Sequence, residues 1–223
     1  VNRYALVVAY YENQQFNLAT QTLAPLLEKD PNRISYAVTQ AEILTDQNEP
    51  LQALDFLQRH LEINPDNHPL TMAAVNALME ARAYSEASEL MERHLTHRPN
   101  DDQLWFRLAE TQGQAGNIAE VHKARAEYFR LLGDYINSRQ QLQFALRVET
   151  EKGAAPAEAA RLRQRIREVE ELAREGRGGK EKEKEKRERR EEKRREEKRK
   201  RRRKRQGRQK NGAEREEETP THW

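Results

Sequence analysis

Prolines fall 34 residues apart at Pro31, Pro65 and Pro99, and each closes a stretch that reads as two amphipathic helices. A fixed period of this length constrains the chain more than any composition figure does. A two-helix unit cannot bury its apolar face alone, so successive units must stack, and the stack grows as a solenoid. Such a stack exposes a long wall of side chains, which suits holding another polypeptide better than catalysis.

Turn-forming clusters recur at about half that interval. They lie near Gln14-Gln15, Asp30-Pro31-Asn32, Asn48-Glu49-Pro50, Asn64-Pro65-Asp66, Arg82-Ala83, Arg98-Pro99-Asn100, Gly116-Asn117, Gly133-Asp134 and Thr150 to Gly153. Gly, Pro, Asn and Asp end one helix and cap the next, so ten helical segments lie between them. Within segments the apolar spacing is helical. Leu51, Leu54, Leu57 and Leu61 are expected on one buried stripe, as are Leu104, Leu108 and Ala109 with Trp105. Strand alternation is absent.

Large and small residues recur in register. The first unit offers Leu6, Tyr10, Ala19, Leu23 and Pro31, and the second Ala41, Leu44, Ala53, Leu57 and Pro65. The third offers Ala74, Leu78, Ala87, Met91 and Pro99, and the fourth opens with Trp105, Leu108 and Ala109. Small residues let helices cross closely while large ones fill the grooves. The pattern is that of the tetratricopeptide repeat. The fold class expected is therefore all-α, a superhelical solenoid of four to five hairpins over residues 1–150. Residues 118–132 serve as second helix of one unit and first of the next. A capping helix is expected over 151–175, with Ala159, Leu162, Ile166, Val169 and Ala173 on its apolar stripe and polar groups outside.

First-helix residues that point away from the packing are expected to line the concave wall. They are Tyr4, Val8, Tyr11 and Glu12, then Val38, Glu42, Thr45 and Asp46. Met72, Asn76, Met79 and Glu80 follow, then Phe106, Glu110 and Gln114. Rigid aromatics and adaptable Met side chains suit a bound peptide, and Asn76 can bond a peptide backbone. The wall as read lacks Lys and Arg, which argues against nucleic acid there.

Charge divides the chain unequally. Residues 176–223 hold 22 Lys/Arg and 12 Glu, whereas the whole chain carries a net charge of only +3, so the rest is acidic. This tail lacks large apolar residues before Trp223 and is expected to be disordered or a single solvated helix. Its run of eight cations, Lys198 to Arg205, would attract polyanions, with no interleaved aromatics for sequence-specific recognition. A polyanion-binding scaffold is the alternative reading. Cysteine is absent, so disulfide and thiolate chemistry are excluded. No leader pattern is present and the chain opens inside a helical pattern, as expected of a fragment or processed product.

No catalytic motif is legible: there is no GxSxG, no HExxH and no phosphate loop in strand-to-helix context. His94 and His97 share a helical face but lack a third ligand, so they are expected as helix-end surface histidines rather than a metal site. No catalytic, cofactor or metal residue is assigned.

Arg3-Tyr4-Ala5-Leu6 with Tyr10-Tyr11, the run Leu104 to Gly116, Ala126-Glu127-Tyr128 through Leu142, and Ala160-Arg161-Leu162 through Leu172 together resemble one family. It is the C-terminal repeat domain of the periplasmic beta-barrel assembly-enhancing proteases of Gram-negative bacteria, and the resemblance covers residues 1–175. It implies an upstream zinc metalloprotease domain with HExxH, outside this chain, and a periplasmic location. It further implies outer-membrane β-barrel precursors, the barrel assembly machinery and the protease domain itself as partners. The tail departs from the family pattern.

Overall fold

The computed structural model describes residues 3–153, 155–176 and 190–191. It divides into two compact units, Val1–Glu170 and Glu171–Trp223. Of the second unit, 171–176 and 190–191 are helical. The polybasic run and most of the charged tail lie outside the described residues.

The first unit is a succession of antiparallel helices: α1 (Arg3–Glu12), α2 (Phe16–Lys29), α3 (Ile34–Asp46), α4 (Pro50–Ile63), α5 (His68–Glu80), α6 (Tyr84–His97), α7 (Asp102–Gln114), α8 (Ile118–Leu131) and α9 (Tyr135–Glu151). A tenth, α10, occupies 156–176. Among the described residues there is no strand, and no helix is long and apolar enough to cross a membrane.

Two kinds of turn alternate. Within a hairpin, one residue takes a left-handed conformation: Gln14 (φ 58°), Asn48 (64°), Arg82 (58°) and Gly116 (78°), each 34 residues from the last. The next residue's N–H then reaches back to the carbonyl five positions earlier. Gln15 bonds Tyr10, Glu49 bonds Leu44, Ala83 bonds Leu78 and Asn117 bonds Gln112, all at 2.9 Å. This satisfies a carbonyl that the helix end would otherwise leave unpaired, and it reverses the chain within two residues. Between hairpins the turn carries proline instead. There Asn67 and Asp101 cap the following helix by accepting from the N–H groups of Leu70 and Leu104.

The crossing positions are small and sealed. Ala19, Ala53 and Ala87 are fully buried, with Leu23, Leu57 and Met91 fully buried one turn later. Two stripe expectations are corrected here, and a third residue joins the core. Leu51 is 72% exposed, because it stands at the start of α4 ahead of the crossing at Ala53. Val7 rather than Leu6 fills the core of the first hairpin, and Leu6 is 37% exposed. Val75 is fully buried beside the expected Ala74. The recurrent core row is thus Val7, Ala41, Val75 and Ala109, one step along the helix from Leu6 and Ala74.

The period breaks in α8. The position following Leu23, Leu57 and Met91 is Arg125, which is exposed, and α8 buries Ala124 and Ala126 instead. The turn after α8 is again of the hairpin type. Gly133 has φ 74° and Asp134 N–H bonds Phe129 at 2.9 Å. Residues 118–132 therefore pair with α7 on one side and α9 on the other, and the stack continues half a unit out of phase.

The C-terminal end of this unit is latched by ions as well as by Leu162 and Val169. Arg165 grips Glu127 of α8 through Nε and Nη2 at 2.8 and 2.7 Å, and Arg130 adds a third bond at 2.7 Å. Burial alone would raise the Glu127 carboxyl, but the Arg165 and Arg130 hydrogen bonds outweigh it and hold it below the usual range. Lys123 similarly spans Glu120, Glu158 and Glu149.

A non-glycine residue in the left-handed region costs about 1 kcal/mol. Arg82→Gly is therefore expected to add about 0.5–1 kcal/mol of stability, read as a higher unfolding midpoint. An unchanged or lowered midpoint in a thermal melt would show that Arg82 holds its turn without strain.

Candidate functional site

The first helices α1, α3, α5 and α7 carry the expected wall in rows of 34-residue spacing. Tyr4, Val38, Met72 and Phe106 form one row, and Val8, Glu42, Asn76 and Glu110 form the next. The structure connects neighbouring members directly. The Tyr4 hydroxyl lies 2.9 Å from Thr39 Oγ1 and donates to the Ser35 carbonyl at 3.2 Å. The Tyr11 hydroxyl donates to Asp46 Oδ2 at 2.7 Å. Thr111 Oγ1 donates to Met79 Sδ at 3.4 Å, and Arg107 donates to Asn76 Oδ1. These contacts tie adjacent hairpins in register.

Exposure varies along it. Phe106 (43%) and Val8 (37%) are open, and Glu12, Glu80 and Glu110 are exposed. Tyr4, Tyr11, Val38, Glu42, Met72, Asn76 and Met79 are half-buried. Phe106 also leans on Tyr128 of α8 with ring centroids 5.3 Å apart.

At one edge of the wall the C-terminal ends of α1, α3 and α5 meet around a cavity of about 580 Å³, lined by Tyr11, Glu12, Phe16, Asp46 and Glu80 among others. Burial, then Asp46 and Glu12, raise the Glu42 carboxyl above its ordinary range. Burial and the bond to Asp46 raise the Tyr11 phenol as well. Negative charge is therefore concentrated here, at helix ends that already carry partial negative charge.

Two expectations about this surface are corrected. The wall is not free of cations, because Arg107 is half-buried beside Phe106 and bonded to Asn76. Asn76 consequently has its amide oxygen engaged within the protein rather than open to a peptide. Arg107 was legible only as a charge one residue off the chosen row, at the position that Thr39 holds two hairpins earlier.

His94 is not a surface residue. It is 4% exposed, and its Nε2 lies 3.0 Å from His68 Nδ1, with the rings stacked 5.2 Å apart. His97 turns away to Asp66 at 3.3 Å. Among the described residues no group of three or more His, Cys, Asp or Glu side chains could hold a metal. His60 occupies the same position one repeat earlier and is 6% exposed. A signal was available: His60 and His94 are 34 residues apart, so the repeat places both at one position of the second helix.

A further cavity of about 420 Å³ has an apolar floor of Trp105, Leu108, Ala124, Leu142 and Leu162 under the charged Lys123, Glu127 and Arg165.

Residues 44–109 match the family model described as tetratricopeptide repeat. The chain is similar to the beta-barrel assembly-enhancing protease of Yersinia pestis, 28% identical over 131 residues, covering 59% of this chain and 27% of that protein. The protein of that name from Escherichia coli (strain K12) is 27% identical over 133 residues, covering 59% and 27%. The chain thus spans about a quarter of the length of the curated relatives it matches. Among solved structures, a MamA crystal structure has 15% identity and a TM-score of 0.52, covering 76% of this chain and 90% of that one. MamA 41-end from Desulfovibrio magneticus RS-1 has 13% identity and a TM-score of 0.51, covering 77% and 97%. These structures speak to the fold alone. The fold is an all-α solenoid of tetratricopeptide type, and repeats of this kind serve protein–protein interaction.

Burial, His68 and Arg98 all lower the His94 pKa from its ordinary 6.5, with Asp66 opposing and His97 adding to the lowering. The unfolded chain then binds this proton more tightly than the folded one. The stability contributed is complete above about pH 6.5 and is lost as pH falls through the folded pKa. Between about pH 7.5 and 5.5, the unmodified chain should lose midpoint temperature relative to His94→Gln, whose comparison cancels the other titrating groups. A constant difference across that interval would mean that His94 does not titrate there.

Proposed function

We propose that this chain is the client-engaging repeat module of a longer periplasmic metalloprotease and chaperone that acts in outer-membrane protein assembly and quality control. The observation that carries this reading is the wall of first helices, with Met72 and Phe106 at equivalent positions one repeat apart and carboxylates between. The likeness to proteins named beta-barrel assembly-enhancing protease supports the direction. A surface of separated aromatic and Met anchors gains area from an extended or helical segment without demanding one sequence. Clients on this reading are unfolded outer-membrane β-barrel precursors, with the barrel assembly machinery and an upstream protease domain as further partners. The zinc and its HExxH ligands belong to that upstream domain. The chain's own task is to hold, and to pass a held segment along.

A photo-crosslinker placed in turn at Val8, Met72 and Phe106 tests the wall. Each is expected to capture an unfolded outer-membrane β-barrel precursor in a periplasmic extract or with purified components. Capture confined to exposed second-helix positions such as Gln52 and Glu89 would remove the wall from the account.

A further inference from the structure

Phe56, Leu90 and Ala124 stand 34 residues apart, at one position of the second helices α4, α6 and α8. Phe56 and Leu90 are half-buried and pack against the same apolar core, and Leu90 also reaches the next core along. Ala124 is buried but ends at its Cβ, so the space its predecessors fill is left open. It lies in the floor of the cavity of about 420 Å³, with Trp105, Leu108, Leu142 and Leu162 around it. Trp105 stands where the earlier repeats carry Ala37 and Thr71, yet its indole lines the cavity without closing it. The site is bounded by α6 to α10 and shares no residue with the wall of first helices.

An apolar hollow holds water poorly, because an ordered water needs about two to four polar partners. Most polar groups above this one are already committed. Lys123 meets Glu120, Glu149 and Glu158, and Arg165 meets Glu127 and Glu168. Glu92 of α6 is different. It accepts one hydrogen bond, from Gln112 Nε2 at 2.8 Å, and no described cation lies within ion-pair distance of it. Gln112 is itself 4% exposed and held by Asn117, so the carboxylate is fixed at the rim. Burial raises the Glu92 carboxyl above its ordinary range, and Glu120 and Glu89 add to this against the Gln112 bond and the field of Lys123.

We propose that this cavity is a docking point separate from the wall, taking a Leu or Phe side chain of a bound polypeptide while a Lys or Arg beside it in the same segment meets Glu92. The chain's own repeats supply the fit, since Phe56 and Leu90 are the side chains that the same position carries in α4 and α6. Glu92, with Glu89 and Glu120, makes the α6 side of the rim acidic. That favours a cation next to the apolar residue and opposes an acid there. An apolar side chain that enters removes both itself and the cavity floor from water, and gains the contacts that the open space forgoes. The inference goes beyond the wall and stands whatever the wall binds.

The test reads Trp105 within the full chain, where Trp223→Phe leaves it the only tryptophan. Peptides of Ser, Gly and Asn with a central Lys-Leu-Lys, Lys-Ala-Lys or Glu-Leu-Glu are titrated while Trp105 emission is followed. Lys-Leu-Lys is expected to move the emission to shorter wavelength and to saturate, with Lys-Ala-Lys about tenfold weaker. Glu-Leu-Glu should be weaker as well. Ala124→Leu fills the cavity from inside and should abolish the response without lowering the unfolding midpoint. Glu92→Gln should remove the preference for Lys over Glu flanks and keep that for Leu over Ala. Phe106→Ala, on the wall, should change neither. The intact cavity is read first and Glu92 is exposed, so the proposal stays open to refutation even if Ala124→Leu folds poorly. No response to any peptide, an equal response to Leu and Ala, a response that survives Ala124→Leu, or one lost with Phe106→Ala would each overturn it. So would a response to octanoate and to none of the peptides, which would give the cavity to an acyl chain. A Leu-dependent signal without client capture at Val8, Met72 and Phe106 would count against the wall alone.

Discussion

The whole arrangement depends on a backbone event repeated every 34 residues: one residue passes into the left-handed region and the chain doubles back. Only Gly116 does this at no steric penalty; Gln14, Asn48 and Arg82 do it against their own Cβ atoms. The hydrogen bond that closes each turn offsets part of that cost. The rest is balanced by what the turn makes possible, the close approach of helices at Ala19, Ala53 and Ala87. The turn fixes the phase of the second helix against the first. It therefore also fixes which side chains of the first helix are left facing outward.

Much of this was legible in the sequence. The prolines and the Asn/Asp/Gly clusters located most of the ten helices described between residues 3 and 176, because punctuation residues act locally and need no tertiary knowledge. The side of each helix was harder. Leu51 belongs to a leucine stripe by spacing yet stands outside the contact, since an amphipathic stripe is wider than the strip that its neighbour covers. Leu6 and Val7 are adjacent, and spacing within one short helix does not decide between them. The equivalent residues Ala41, Val75 and Ala109 do.

The polar features of the wall were less legible for a different reason. Arg107 and His94 were read as single residues, whereas each is defined by a partner on another helix, Asn76 and His68. Sequence periodicity predicts that equivalent positions meet equivalent neighbours. It does not say that an exposed-looking charge at one of them will be half-buried, because that depends on the chemistry filling the same position in adjacent hairpins. Thr39 and Arg107 hold equivalent positions two repeats apart, yet Thr39 meets Tyr4 while the longer Arg107 meets Asn76, one turn further along the preceding first helix.

Arg125 gives the out-of-phase end of the stack its physical cause. With a cation where Leu23, Leu57 and Met91 sit, α8 cannot present the usual large apolar side chain and rolls to bury alanines. The Glu127 and Lys123 ion networks of the same helix then clasp residues 156–170. The helix at 156–170 is held partly by charge, so dissolved electrolyte loosens it to a modest degree and leaves the apolar crossings at Ala19, Ala53 and Ala87 untouched.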